Sequence, residues 1–306
     1  MKNVILLFIS TSFLVFCSCV NKNDLKNSTR LDITPAVNLS VSGSDPVFSP
    51  DGKAVVYSGR EEENKAPQLY IRKLDQVNAV PIPGGERASN PFFSPDGNWL
   101  GFTSLDGELK KIKRTGGVPI TILEQAIWRQ NRCCWGPNGI LVPLEDGRLV
   151  EVASDGTNVR HIVPKNMDYK QFPCRWFDVL PDGKSALCTV WSGTLRNAQI
   201  GIINLITGDV ETLLEEGTSP LYSESGHIIF AQTDGTLLAS PFDVNRQKVT
   251  GTPVPLGIKV QVIADGRASF SLSDNGSIVY ISQRDIHFVC PQSKFCVLTD
   301  NFSVAV

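Results

Sequence analysis

Apolar and polar positions alternate along this chain in short stretches, and Gly, Pro, Asp, Asn and Ser clusters separate them. No segment sustains a 3.6-residue apolar period over three turns, so the pattern predicts strands rather than helices. One unit recurs six times. It reads FSPDGKAVVYS (48–58), FSPDGNWLGFTS (93–104), WGPNGILVP (135–143), VLPDGKSALCTV (179–190), YSESGHIIFA (222–231) and LSDNGSIVYIS (272–282). In each, an apolar residue ends one strand, a turn follows, and an apolar or alternating strand leaves. Pro presets φ at the first corner, Asp or Asn bonds the backbone, and Gly takes the left-handed conformation that closes the hairpin. The fifth and sixth copies lose the Pro (Ser-Glu-Ser-Gly and Ser-Asp-Asn-Gly) and keep the Gly.

The repeated glycines fall at 52, 97, 139, 183, 226 and 276, at intervals of 45, 42, 44, 43 and 50 residues. These are the lengths of one four-stranded propeller blade. A third strand follows each hairpin: QLYIRKL (68–74), ELKKIKR (108–114), RLVEVAS (148–154), QIGIINL (199–205), TLLASPF (236–242) and DIHFV (285–289). A fourth follows most of them, as in AVPIP, VPITIL, VRHIV, VETLL, VPL and KFCVLT. The expected fold is all-β: a six-bladed β-propeller of four-stranded antiparallel blades. Such a ring is usually closed by an N-terminal strand that completes the last blade. Two segments compete for that place, ITPAVNLSV (33–41) and KFCVLTD near the C-terminus.

The start of the chain differs from the rest. Lys2 precedes a short apolar run, Val4 to Phe16, followed by Ser18-Cys19. A small residue before Cys resembles a bacterial lipoprotein signal, in which the thiol accepts diacylglycerol; Phe16 departs from the usual Leu. The alternative is a plain secretory signal cleaved nearby. The expected organisation is a lipoprotein-type signal peptide over 1–19 with lipidation at Cys19, a polar tether over 20–32, the propeller over 33–299 and a tail over 300–306. Val20, rather than Asp, favours the outer membrane under that resemblance. The expected location is therefore the periplasm or cell envelope, with the membrane reached through the lipid.

Composition adds little chemistry. A net charge of −2, evenly spread, gives no basic stripe for nucleic acid. Export permits disulfides. Cys290 and Cys296 flank PQSKF, a plausible hairpin, and either pair or serve as small buried hydrophobes. The three histidines, His161, His227 and His287, fall in different blades, and no Cys-x-x-Cys, His-x-x-x-His or Gly-x-Ser-x-Gly pattern occurs. No metal, cofactor or catalytic residue is expected, and the Asp residues of the turns are explained by the turns. Loops leading into first strands share one face with loops joining second to third strands. Trp128, Arg129, Arg132, Arg175, Trp176, Trp191 and Arg196 fall in such places. Trp and Arg dominate binding hot spots, so these residues define a candidate face for a protein or peptide partner of a monomer. The competing expectation is that Trp176 packs between blades and Trp128 covers a blade edge. Trp135, in the apolar slot of the repeat, is expected in the core.

The SPDG hairpins resemble the TolB-type, WD-like propeller repeats of bacteria over about residues 40–299. GGVPITIL (116–123), WGPNG (135–139), LPDG (180–183) and GTLLASPFDVNRQKVTGTPVPL (235–256) resemble, more closely, the periplasmic sensor propellers attached to bacterial serine/threonine kinases. The kinase motifs are missing, so the resemblance implies a fold and a sensing, scaffold or binding role without phosphoryl transfer. Such relatives often continue past the sixth blade, whereas this chain ends in NFSVAV, which makes a truncated, detached sensor domain a further expectation. A hydrolase or lyase with a central-channel site is the remaining alternative. It needs paired inward carboxylates or histidines, and Asp45 and Asp178 are the acidic residues near first strands.

Overall fold

The structure, a computed structural model, describes residues 45–62, 64–124, 132–168 and 174–282 in full, and the backbone strands Thr29–Ile33, Asn38–Leu39 and Phe295–Thr299. Five antiparallel sheets each hold one repeat. The second is Ala88–Phe93, Trp99–Ser104, Leu109–Lys113 and Ile120–Leu123, paired in chain order. The fourth is Cys174–Val179, Ser185–Val190, Gln199–Asn204 and Val210–Leu214. The protein is an all-β propeller of four-stranded antiparallel blades. Second strands are sandwiched, so Ala54–Arg60 and Ser185–Val190 read as almost unbroken buried runs instead of alternating ones.

Five blades, not the expected six, are complete in the described residues. The sixth repeat contributes Phe270–Leu272 and Ile278–Ile281 there, because its next segment, 283–294, lies outside them and with it the expected strand 285–289. Backbone pairing extends this sheet by Phe295–Thr299 and then by Thr29–Ile33. KFCVLT therefore pairs directly with the second strand of its sheet, not in the expected fourth place. The outermost place goes to a segment starting four residues ahead of the expected one, at Thr29, inside the expected tether. Asn38 and Leu39, from the other candidate closing segment, pair with Arg60 and Gly59 of the first blade.

The sheets pack face to face around an axis, and each interface is an apolar cluster. Val56, Leu69, Phe93 and Leu100 lie between the first two blades. Phe48, Val55 and Tyr57 of the first blade meet Val279 and Ile281 of the last repeat. At the same seam the Phe48 N–H donates to Ser271 Oγ (3.2 Å) and the Asp274 N–H to the Pro50 carbonyl (3.0 Å). First and last repeats are therefore neighbours.

The repeated turn works as its sequence predicts. Ser49 Oγ accepts the Ala54 N–H (2.9 Å), Asp51 Oδ1 accepts the Lys53 N–H (3.0 Å), and Gly52 is left-handed at φ 66°. The third copy departs. Gly139 is not left-handed; its hairpin is shorter, closed by the Gly136 N–H on the Gly139 carbonyl (2.8 Å). Glycine is required there for space, since a Cβ would lie 2.6 Å from the Val152 carbonyl oxygen.

Because every interface shares its sheets with two neighbours, the seam between last and first repeats should carry global stability. Ile281→Ala should cost about 2–4 kcal/mol and keep a single urea transition. A loss below about 0.5 kcal/mol would show that the seam is not formed.

Candidate functional site

Each first strand runs along the axis, and the position seven residues before the repeat glycine is the first to reach it. The six residues there are Asp45, Asn90, Arg132, Trp176, Ser219 and Ser269. All are buried except Arg132, which is half-buried. Asn90, Trp176 and Ser219 are left-handed, with φ of 50°, 54° and 53°, and a register shift follows in each strand. Bulges re-aim side chains and end pairing, and these three turn their strands at one level of the ring.

That level is closed. The turn at 264–267, which leads from the fifth blade into the sixth repeat, lies across the axis. Thr218 Oγ1 (2.5 Å) and Ser219 Oγ (3.3 Å) donate to the Gly266 carbonyl, and Arg175 Nη1 donates to the Asp265 carbonyl (3.2 Å). Gly266 lets the turn sit on Trp191, because a Cβ would fall 2.7 Å from the indole. On the far side Arg267 pairs with Asp45 at 3.4 Å, both side chains 6% exposed. Arg132 sits in the field of this pair: burial lowers its pKa, Asp45 and Asp178 raise it, and Arg267 opposes it.

Below this plug lies a cavity of about 420 Å³, lined by the first strands of all six repeats. Exposure rises along its length, from the buried ring above to the exposed Pro95, Pro137, Pro181, Glu224 and Asp274, so it opens on the face of the SPDG turns. Glu224 and Asp274 occupy the places where the fifth and sixth repeats lost their Pro. Asp178 lies in the wall, where other repeats carry Val47, Phe92, Cys134, Leu221 and Ser271. Its Oδ2 accepts the Tyr222 N–H at 2.7 Å. Burial nonetheless pushes its carboxyl from the ordinary 3.8 up to about 6, against the lowering effects of that bond and of Arg132.

The structure sorts the candidate face. Arg175 lies over the Trp191 ring, 4.3 Å from its centroid, on the loop side of the plug. Arg196 is exposed in the short turn Leu195–Asn197. Arg132 does not join them: its strand carries it to the axis, where it lines the cavity. Trp176 does not either. At 2% exposed it is packed in the protein. Trp128 and Arg129 lie outside the described residues, as do Cys19, Cys290 and the side chain of Cys296. Trp135, expected in the core, is half-buried and gives part of its surface to the cavity. Sequence reasoning missed Arg267, Glu224 and Asp274. The loss of Pro in two repeats was the available signal, and it reads equally well as turn variation.

Other chemistry is sparse. His227 is buried, with Nδ1 3.1 Å from Ser225 Oγ, and burial lowers its pKa. Cys133, Cys134, Cys174 and Cys188 are free thiols, and burial pushes Cys133 up to about 12. Among the described residues no cluster of His, Cys, Asp and Glu is arranged to hold a metal, and no helix is long and apolar enough to cross a membrane.

No known protein-family profile matches the chain. It is similar to TolB from Acinetobacter baumannii, with a TM-score of 0.53 at 18% identity over 70% of this chain and 54% of that one. That likeness supports the propeller fold. It is also 27% identical, over 135 residues, to a Bacillus subtilis (strain 168) protein described as an uncharacterized peptidase, YuxL. The match covers 40% of this chain and 20% of the relative, so the chain spans about a fifth of that relative's length.

Asp178 makes a signed prediction. Its native carboxyl holds a proton more tightly than in the unfolded chain, so its contribution to stability falls as pH rises from about 4 to about 6. Asp178→Asn keeps an acceptor for the Tyr222 N–H and removes this cost. It should raise stability at pH 7.5 by about 1–3 kcal/mol, with the gain vanishing near pH 4. Thermal melts at both pH values check this; a variant less stable at pH 7.5 would mean that pairing with Arg132 outweighs desolvation.

Proposed function

We propose that this chain is an exported, non-catalytic propeller that docks a protein or peptide partner on its loop face, as a scaffold or sensor module. The observation that carries this reading is the Arg175–Trp191 stack at 4.3 Å, held beside the axis by the turn at 264–267. A half-buried Trp with a guanidinium on its face is a pre-ordered pair of hot-spot residues. Arg196 lies on the same loop between strands and widens the face. The sixth sheet, with Phe295–Thr299 and Thr29–Ile33 as its outer strands, would make a six-bladed ring closed by an N-terminal strand. Lipid on Cys19 would tether it in the periplasm or cell envelope, at the outer membrane. Kinship with kinase-attached sensor propellers fits the quoted motifs. The partial likeness to a peptidase-named protein favours one other reading, a propeller belonging to a hydrolase.

Wild-type protein should retain a species from a membrane extract that Trp191→Ala and Arg175→Ala lose at least about tenfold, the size of a hot-spot truncation. Equal retention would remove this face from the proposal. Mass spectrometry of the mature N-terminus should find diacylglycerol on Cys19; an unmodified N-terminus would leave a soluble exported protein.

A further inference from the structure

The cavity on the opposite face is not used by that docking surface, and its lining has a chemistry of its own. Its wall carries Asp178, its rim carries Glu224 and Asp274, and Trp135, Tyr222 and Phe92 supply aromatic surface between them. Among the described residues neither Glu224 nor Asp274 has an ion-pair partner. Among the described residues the one cation of the lining, Arg132, stands at the closed end in the fields of Asp45 and Asp178. Among the described residues, this open, aromatic-walled cavity has carboxylates from three neighbouring repeats and one positive charge, already engaged, and so is short of a counter-charge.

The three acids are also departures from the repeat. Two replace Pro, which presets the turn, and one replaces residues that are apolar or small. The Asp274 N–H bond to the Pro50 carbonyl accounts for the absence of Pro in the sixth repeat, but it uses only the backbone and leaves the carboxylates of Glu224 and Asp274 unexplained. Burying Asp178 in the wall costs stability, as its raised pKa records. A buried carboxylate in the wall of an open cleft is a candidate functional group.

We propose that this cavity binds an organic cation, an alkyl-ammonium or guanidinium group on an apolar stem, entering from the face of the SPDG turns. The charged head lies between Asp178 and the rim acids, and the stem lies against Trp135 and Tyr222, which attract cations to their faces. A volume of about 420 Å³ admits a free diamine-sized molecule or one Arg or Lys side chain of a peptide, not a folded domain.

Titration calorimetry on the full chain tests this with agmatine, N-acetyl-arginine amide and N-acetyl-citrulline amide, the last a neutral isostere. The guanidinium probes should bind, and the citrulline amide should bind about tenfold more weakly. Glu224→Gln with Asp274→Asn, both exposed and so neutral to folding, should weaken the arginine amide about two- to tenfold. Asp178→Asn should weaken it about tenfold or more. Trp191→Ala should leave it unchanged, which separates this site from the docking face. Agmatine and the arginine amide binding alike would indicate a free small cation; binding of the amide alone would indicate a peptide side chain, and both support the class. Equal affinity for citrulline, indifference to all three carboxylate substitutions, or no binding at about ten-millimolar probe would overturn it.

Discussion

The face-to-face burial of one sheet on the next is the constraint on which the rest of this molecule depends. Each blade is apolar on both faces and cannot be satisfied alone. The Phe48–Tyr57–Val279–Ile281 cluster, joining the two ends of the repeat series, is what turns a row of sheets into a ring. The central cavity exists only because that seam brings the first strand of the last repeat beside the first strand of the first. The same geometry fixes the Asp45–Arg267 pair, which links residues more than two hundred positions apart in the chain.

The ring gives the protein two unlike ends. At one, the turn at 264–267 crosses the axis and is anchored to the fourth and fifth blades by Arg175, Thr218 and Ser219, and to the first by Arg267. Two buried charges held at 3.4 Å carry a desolvation cost that offsets much of their mutual attraction. At the other end the cavity is open and acidic. The proposed docking surface and the proposed cation site therefore lie on separate faces.

The blades were legible in the sequence because the turn chemistry is local. Ser, Asp and Gly act within five residues of one another, so the motif reports its own hairpin wherever it occurs. The site was less legible because it is built between repeats. Arg132 and Trp176 align in sequence yet diverge in space: Arg132 reaches the cavity, whereas left-handed Trp176 is packed away. Asp45 and Asp178 stand in different repeats of the sequence, and only the ring brings Arg132 into the field of both. The outer strands of the last sheet were open to two choices, since pairing partners from opposite ends of a chain leave no local mark.

Amide hydrogen exchange at the closing seam tests the ring most directly. The account predicts that amides in Val55–Tyr57 and Ile278–Ile281 exchange together, at the slow rate of global unfolding set by the central blades. Independent, faster exchange of Ile278–Ile281, with the five complete blades still protected, would mean an open array without a closed central cavity.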